Sequence, residues 1–304
     1  MTKEIFNDKQ KQNYEKISCM DARKGAYGKI FQDNLFCLGD LFDGLFDERK
    51  NDDCYTKFNE ILETMPVDFG GPSIYFHVKA IKYAKNPETF LKKEHLKMIY
   101  AVLPAWGMHR MTESTKIIDF REFSERTGKI SLPEIKTLEQ LNTSLKSGND
   151  EDIEKIAILI SSLRINERRE KREGEDNKDV PEKTFLVSSS KTLHHIFPDL
   201  IPPIDRAYSL KFMKRKPVDF SKQTPNISWN SEICFAKLFI KKMCEFVYTE
   251  DREKNMLKMI EKDVQKQQFN TSIPKLFDNL IIAYVKFVKR YPELFKRHFS
   301  EYFE

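Results

Sequence analysis

The sequence predicts an all-α, multi-helix globular protein, with two helical subdomains around a cleft as the expected arrangement. Glycine is scarce, with 10 residues, whereas phenylalanine is abundant, with 24, which is typical of helices packed through large aromatic side chains. Apolar residues recur at spacings of three and four, and no segment predicts a strand ladder. Hydrophobic residues make up 40% and charged residues 33%, which indicates a folded, well-solvated chain and excludes intrinsic disorder.

The first predicted helical subdomain comprises residues 1–165. Its segment GKIFQDNLFCLGDLFDGLFDERK, residues 28–50, has helical apolar spacing. Gly25-Ala26-Tyr27-Gly28 has the GxxG spacing, which we interpret as a turn. Residues 1–65 are therefore expected to form helices with loose connections.

The sequence changes character at Gly70-Gly71-Pro72, which predicts a turn. Ser73 is suited to cap a helix that begins at Ile74. The expected apolar side of this helix is Tyr75, Phe76, Val78 and Ile81. His77 and Lys79 are expected to lie off that side.

Two more helices are predicted in this half. One runs from about Lys93 to Leu103, where Pro104 kinks or ends it. The other lies in NDEDIEKIAILISSLRI, residues 149–165, because its acidic start suits a helix N-terminus and an apolar stripe follows.

Residues 166–183 predict a charged connector, since their charges alternate densely with almost no apolar residue. The second helical subdomain comprises residues 184–304. Within it, residues 213–230 predict a long loop, and residues 231–248 and 273–291 predict core helices.

The charge and the cysteine content limit which partners and which cellular environment the sequence is compatible with. The net charge is +5 and the pI is about 8.7, so DNA or RNA is a compatible partner. The five cysteines form no CxxC pair, which argues against a disulfide framework or a zinc ribbon. The N-terminus lacks the apolar run of a signal peptide, and no segment is suited to span a membrane. We therefore expect a reduced, cytoplasmic protein with no membrane association.

The common catalytic and cofactor-binding motifs are absent from the sequence. It contains no GxxxxGK[ST], GxGxxG, GxSxG or HExxH, so no cofactor is expected. None of the six histidines pairs with another at i+3 or i+4, so no metal site is expected. A small-molecule enzyme remains one interpretation, if His77, His109 and His194 meet in one cleft.

The segment LPAWGMHRM is the first candidate for chemistry. Trp106, His109 and Arg110 combine a stacking surface, a titratable ring and a bidentate anion binder within five residues. The alternative is that Trp106 anchors the core and that Arg110 caps a helix C-terminus. We expect this segment to neighbour the one described next.

The strongest candidate is SSSKTLHHIFPDLIPPIDRAYSLKF, residues 188–212. Lys191 is expected in the first turn of a helix, where the helix dipole disfavours its positive charge. The proline-rich PDLIPPID is expected to be a stiff, extended connector that returns the chain toward that helix start. Asp205 would then open the next helix beside Lys191, or simply cap that helix.

This order of features resembles the core of the helix-hairpin-helix DNA glycosylases, with VSSSKTLHHIFPDLIPPIDR as the matching text. The resemblance covers about twenty residues. It implies that Lys191 is the amine nucleophile of a DNA glycosylase/lyase and that Asp205 stabilises the cationic sugar or assists proton transfer.

The leading hypothesis is therefore a nucleic-acid-binding, glycosylase-like protein acting on damaged bases. His194, His195 and Arg206 would line the site, and Trp106 or Tyr208 would stack on a flipped base. The alternative is a non-enzymatic scaffold or partner-binding protein, in which Asp205 caps a helix and the prolines form a tight corner.

Overall fold

The structure, a computed structural model, describes residues 24–50, 52–69, 71–106, 115–128, 130, 143, 145–168, 186–223, 232–265 and 269–302. These ranges contain twelve α-helices and one two-stranded ribbon. The helices are α1 (Lys24–Gly44), α2 (Asp53–Phe69), α3 (Gly71–Ala84), α4 (Lys93–Ala105), α5 (Phe120–Gly128), α6 (Asp150–Ser162), α7 (Leu186–Ile196), α8 (Ser209–Lys214), α9 (Glu232–Val247), α10 (Glu250–Gln265), α11 (Ile273–Arg290) and α12 (Pro292–His298). The all-α prediction is confirmed. No described helix has both the length and the apolar character that a bilayer span requires.

The ribbon is a small addition that the sequence did not predict. Strand β1 (Thr115–Ile117) pairs antiparallel with β2 (Asn166–Arg168), and Thr115 lies opposite Arg168. The Ile118 amide extends the pairing by donating to the Ile165 carbonyl at 3.0 Å. Three residues per strand are too few to show an alternating pattern in the sequence.

Helix α11 is the centre of the fold. Its N-cap Ser272 accepts a hydrogen bond from the Lys275 amide, and a proline occupies its first turn, both of which favour helix initiation. The helix is buried along most of its length and packs against α1, α2, α8, α9, α10 and α12. Edge-to-face rings line these contacts, as in the Phe212–Tyr284 pair with centroids 5.2 Å apart. The predicted aromatic packing of core helices is therefore confirmed.

Helices α3, α4 and α7 form a second group of mutual contacts beside the first. Helix α4 ends at Ala105, with Pro104 in its last turn, close to the predicted end. Helix α6 begins at its predicted acidic start, where the Asn149 side chain caps the Glu151 amide at 3.0 Å. Helix α6 also contacts α7, so α7 is held between α3, α4 and α6.

Two predictions about glycine-containing segments were wrong. The segment Gly25–Gly28 lies inside α1 rather than in a turn. Helix α3 begins at Gly71, and Ser73 does not cap it, because the Ser73 hydroxyl donates to the Ala105 carbonyl at 2.9 Å. This bond ties the start of α3 to the end of α4.

The buried face of α3 also differs from the prediction. His77 is fully buried, whereas Tyr75 is 56% exposed. Pairing with other polar groups inside the protein makes this burial favourable, and those groups form the site described below.

The predicted division into subdomains stays a prediction. One continuous hydrophobic cluster contains residues from both sides of the predicted connector, including Ile99 of α4 and Phe287 of α11. The first connector residues, 166–168, form β2, and residues 169–185 lie outside the described ranges.

Candidate functional site

A cluster of buried polar side chains lies where α3, α4, α7 and the start of α11 meet. We call it the polar cluster. Its members are His77, Trp106, Lys191, His194, His195, Asp205, Thr271, Lys275 and Asp278. The sequence separates these residues by up to about 200 positions, so only the tertiary fold brings them together.

Lys191 and Asp205 form the ion pair at one side of the polar cluster. The Lys191 Nζ lies 3.1 Å from Asp205 Oδ2 and donates to the Trp106 carbonyl at 3.3 Å. The Lys191 side chain is 7% exposed and that of Asp205 is 27% exposed, so solvent reaches the carboxylate more readily than the amine.

The connector between α7 and α8 places Asp205 beside Lys191. The prolines favour an extended course over residues 201–205, and the Ile204 amide donates to the Ser190 hydroxyl at 3.0 Å. The predicted return of the chain toward α7 is thus confirmed. The Asp205 carboxylate also accepts from the Ala207 amide at 2.7 Å, and the Asp205 amide donates to the Ser209 hydroxyl at 2.9 Å.

Two details of this segment differ from the prediction. Lys191 is the sixth residue of α7, not a first-turn residue, because the three serines before it are part of the helix. The helix-dipole argument for Lys191 therefore does not apply. Asp205 lies four residues before the start of α8, where it orders the turn that leads into the helix.

The electrostatics of Asp205 follow from its partner. Burial raises the pKa of this carboxyl, but the Lys191 ammonium and the hydrogen bonds from Lys191 and the following amides outweigh that effect. The net result is a pKa below its ordinary value, so Asp205 is ionised at neutral pH.

Three hydrogen bonds form a directed chain through the histidines of the polar cluster. His195 Nδ1 lies 2.7 Å from the Lys191 carbonyl, which only accepts, so this nitrogen carries the proton. A neutral His195 must then accept at Nε2, and His77 Nδ1, 3.0 Å away, must donate to it. His77 Nε2 in turn accepts from the Thr271 hydroxyl at 2.9 Å. Every proton of the chain therefore points from Thr271 toward α7.

His95, on α4, is a neighbouring histidine that contacts this chain of hydrogen bonds at His195. Its Nε2 donates to the His195 carbonyl at 3.0 Å, and its Nδ1 accepts from the Leu91 amide at 3.1 Å. Both ring nitrogens are thus satisfied in one neutral tautomer.

Burial keeps all four of these histidines neutral. Burial lowers the pKa of His195 to about 3 and that of His95 to about 4, although a backbone hydrogen bond opposes the effect in each case. Burial also holds the pKa of His77 and of His194 well below the ordinary value, and the neighbouring His195 adds to it.

Lys275 is a second buried lysine in the polar cluster. Its Nζ donates to Asp278 Oδ2 at 2.7 Å and to Asn279 Oδ1 at 2.8 Å. The same Nζ lies 4.1 Å from the Phe269 ring centroid and 4.7 Å from that of Trp106. Burial lowers the pKa of Lys275 and raises that of Asp278, because both side chains are removed from water.

Some polar atoms of the polar cluster have no hydrogen-bond partner within the described ranges. They include the indole Nε1 of Trp106 and the Nε2 of His194. His194 Nδ1 lies 2.8 Å from the Ile201 carbonyl and carries the proton, so its Nε2 is an unused acceptor.

Several site residues predicted from the sequence do come together. The polar cluster contains five of them: Trp106, Lys191, His194, His195 and Asp205. Trp106 of the first candidate segment contacts Lys191, His194 and His195 of the second, so the two segments are neighbours at this residue. The Trp106 ring packs 4.7 Å from the His195 ring centroid and is partly buried against the core.

Of the other predicted site residues, Arg206 and Tyr208 follow Asp205 closely in the chain, and the Tyr208 amide also donates to the Asp205 carboxylate. Arg206 is exposed, and Tyr208 is half-buried against the core. His109 and Arg110 lie outside the described residues. His77 and His194 do meet, with stacked rings 5.8 Å apart.

Sequence reasoning missed His95, Thr271, Lys275 and Asp278. A signal for the last two was present, since Lys275, Asp278 and Asn279 follow the i, i+3, i+4 spacing of a single helix face. Because the three side chains are polar, apolar periodicity does not indicate that this face of the helix is buried.

Among the described residues, no group of three or more histidine, cysteine, aspartate or glutamate side chains is arranged to hold a metal ion. Neither family models, nor curated proteins, nor solved structures gave a match to this chain.

Proposed function

We propose that this protein acts on nucleic acid as a DNA glycosylase/lyase-like enzyme, with Lys191 as the amine nucleophile and Asp205 as its carboxylate partner. The observation that supports this most is the 3.1 Å contact between the two groups. They are brought together across the proline-rich connector, and the carboxylate faces solvent more than the amine does. The residue types and their order also fit the resemblance noted in the sequence.

The proposed reaction begins with loss of a proton from Lys191 to Asp205. The Lys191 nitrogen forms a bond to C1′ of the damaged nucleotide while the bond between C1′ and the base breaks. The base leaves with that electron pair and takes the proton from Asp205. The new ammonium nitrogen gives one of its two protons to O4′, and the lone pair left on nitrogen opens the C1′–O4′ bond, which leaves a protonated Schiff base and an O4′ hydroxyl.

Once the base has taken its proton, the ionised Asp205 would stabilise the positive charge of the Lys191 adduct and of the Schiff base that follows. His195 would act on Lys191 indirectly, because its ring donates to the Lys191 carbonyl and so fixes that turn of α7. Tyr208, at the start of α8, would stack on the extruded base.

Borohydride trapping tests the nucleophile. Reduction of the Schiff base on an oligonucleotide with an abasic site should give a stable covalent adduct with the native protein. The adduct should be absent in Lys191→Ala and Lys191→Arg, and Asp205→Asn should slow its formation at least ~10-fold, about 1.4 kcal/mol in the barrier.

The matched control is Lys85→Ala, because Lys85 also pairs with an aspartate across the fold, Asp199 at 3.4 Å, but is exposed. That variant should trap like the native protein. An adduct that persists in Lys191→Ala would exclude Lys191 as the nucleophile, whereas no adduct with any folded variant would exclude the lyase reaction.

The near-complete burial of Lys191 favours a second candidate, a non-catalytic scaffold. In that role the ion pair joins the end of α4, the middle of α7 and the connector. Removal of Lys191 would then lower the free energy of unfolding by about 3–5 kcal/mol without affecting any chemistry. The trapping and unfolding experiments together separate the two functions.

A further inference from the structure

The last residue of α12, His298, lies between two carboxylates from the other end of the chain. Its Nε2 lies 3.1 Å from Asp40 Oδ2, and its Nδ1 lies 3.1 Å from Asp52 Oδ2. Asp40 is on α1, and Asp52 comes directly before α2. One imidazole ring thus connects α12 to residues 258 and 246 positions earlier in the sequence.

Both carboxylates are ionised at neutral pH, so their oxygens can only accept hydrogen bonds. Burial raises the pKa of Asp40, but hydrogen bonds from Lys50 and His298 outweigh that effect and hold it below its ordinary value. The pKa of Asp52 is also lowered, by the hydrogen bond from the Cys54 amide and, to a smaller extent, by His298.

Only the doubly protonated ring of His298 can make both hydrogen bonds. A neutral imidazole has one N–H, and its other nitrogen carries a lone pair. That lone pair would face a carboxylate oxygen at 3.1 Å with no proton between them. His95 shows the opposite arrangement, with one donor and one acceptor around a neutral ring. The partners of His298 therefore match the imidazolium and not the neutral ring.

His298 is accessible to solvent protons, although aromatic rings restrict its orientation. The Tyr55 and Phe299 rings lie with centroids 5.2 and 4.6 Å from that of His298, both in edge-to-face contact. The His298 side chain is 19% exposed, whereas His77 and His194 are fully buried. The ring of His298 can therefore exchange protons with water while the protein stays folded.

The neighbouring groups do not change charge over the same pH range as a histidine. Lys50 Nζ and the Tyr55 hydroxyl both donate to Asp40, at 2.8 and 3.1 Å. The remaining charged or titratable neighbours on α1, α2, α11, α12 and the turn after α12 are Cys37, Cys54, Tyr284, Arg297, Glu301 and Tyr302. Histidine is the only one of these side-chain types that ordinarily titrates between pH 5 and 8.

We propose that His298, Asp40 and Asp52 form a proton-dependent latch between the C-terminal helix α12, α1 and the start of α2. The latch is closed when the ring carries two protons, and it opens at one carboxylate when the ring carries one. The closed form holds a proton, so its stabilisation is present at mildly acidic pH and is lost as pH rises. The sign is opposite to that of the buried neutral histidines. The latch contains no residue of the polar cluster, so it does not depend on the proposed function.

Hydrogen exchange of the full chain at pH 6.5 and 8.5, followed by mass spectrometry, tests the latch. Peptides from residues 292–302 are compared after correction for the intrinsic exchange rate at each pH. Loss of one hydrogen bond between charged groups predicts protection at least ~10-fold lower at pH 8.5 than at pH 6.5. Peptides from α7 are the internal reference, because acidification acts against its buried neutral histidines and should not increase their protection.

Two variants separate the latch from a general effect of pH. His298→Gln does not titrate, so the protection of residues 292–302 should be the same at both pH values. Asp52→Asn places an amide donor where Oδ2 of the carboxylate stood, so a neutral ring can accept from it and still donate to Asp40. Asparagine also retains the capping acceptor for the Cys54 amide. Asp52→Asn should therefore stay protected at pH 8.5.

The matched control is Asp47→Asn, because Asp47 is bonded to Arg49 rather than to His298. This variant should keep the pH dependence of the native protein. ¹⁵N spectra of the His298 ring should show two protonated nitrogens at pH 6.5 and one at pH 8.5, in step with the change in protection. Equal protection of residues 292–302 at both pH values in the native protein would overturn the proposal, as would a pH dependence that persists in His298→Gln.

Discussion

Acidification should unfold this protein under conditions that most proteins tolerate, because four histidines are buried as neutral rings. The perturbation is a change of pH from 7 to 5 at constant ionic strength. An unfolded histidine has a pKa of about 6.5 and is protonated at pH 5. His95 and His195, with pKa values lowered to about 4 and about 3, remain neutral in the folded protein.

The sign of the effect follows from proton binding. Over this range the unfolded chain binds more protons than the folded one, so stability is fully present above pH ~6.5 and is lost as pH falls. Each such histidine costs about 1.4 kcal/mol per pH unit below 6.5, or about 2 kcal/mol at pH 5. His95 and His195 together therefore remove about 4 kcal/mol, and His77 and His194 act in the same direction.

Other buried groups modify this loss without reversing it. The lowered pKa of Asp205 matters only below pH ~4, outside the range tested. The raised pKa of Asp278 acts in the opposite direction, since the folded protein takes up that proton more readily than the unfolded chain does. The total loss is large against the 5–15 kcal/mol that stabilises a typical domain.

Urea unfolding followed by circular dichroism at 222 nm, at pH 7, 6 and 5, measures the free energy of unfolding. We expect a fall of at least about 4 kcal/mol between pH 7 and 5.

His95→Gln retains one donor and one acceptor. This variant should reduce the slope of the free energy of unfolding against pH by about 1.4 kcal/mol per pH unit. His298→Gln is the control, because His298 lies between the carboxylates of Asp40 and Asp52 instead, at 3.1 Å from each. A free energy of unfolding that is unchanged between pH 7 and 5 would refute the reasoning.

Two further predictions concern stability at neutral pH, and both are measured by urea unfolding. Lys275→Met should lower the free energy of unfolding by about 3–5 kcal/mol, since it leaves Asp278 buried without its cation, and Lys275→Met/Asp278→Leu should recover most of the loss. No recovery in the double variant would contradict this account. Gly44→Ala should cost about 1–3 kcal/mol, because the new Cβ would lie 2.2 Å from Cε1 of Tyr55 and push that ring from its hydrogen bond to Asp40. Gly28→Ala, where a Cβ meets nothing within 4 Å, is its control and should not destabilise the protein.

The sequence predicted best where apolar periodicity and chain stiffness decide the structure. The apolar stripe of α11 identified it as a core helix within a residue of its ends. The approach of Asp205 to Lys191 was predictable because consecutive prolines leave the connector few conformations.

Prediction failed where tertiary partners overrule local preference. The sequence predicts that the three serines of α7 precede the helix, and serine does compete with the helical backbone for hydrogen bonds. In the structure the Ser189 hydroxyl donates to the Leu163 carbonyl and the Ser190 hydroxyl to that of Val187, so both fit within the helix. The sequence also predicts His77 off the apolar face of its helix. Its burial could not be predicted, because the partners that satisfy its ring, His195 and Thr271, are more than 100 residues away in the sequence.

The fixed direction of the histidine chain has a consequence for how its protons can rearrange. If His77 alone changed tautomer, its Nδ1 would lose its proton and face the lone pair of His195 Nε2. Its Nε2 would gain a proton that points at Thr271 Oγ1, so the Thr271 hydroxyl proton would have to rotate away. Reversal of His195 would set its Nδ1 lone pair against the Lys191 carbonyl oxygen, with no donor between them. A flip of either ring alone therefore sets two lone pairs against each other at the α7 end, so the hydrogen bonds of His77 and His195 favour one common direction. ¹⁵N spectra should accordingly show a protonated Nδ1 and an unprotonated Nε2 in both rings, without averaging between the two forms.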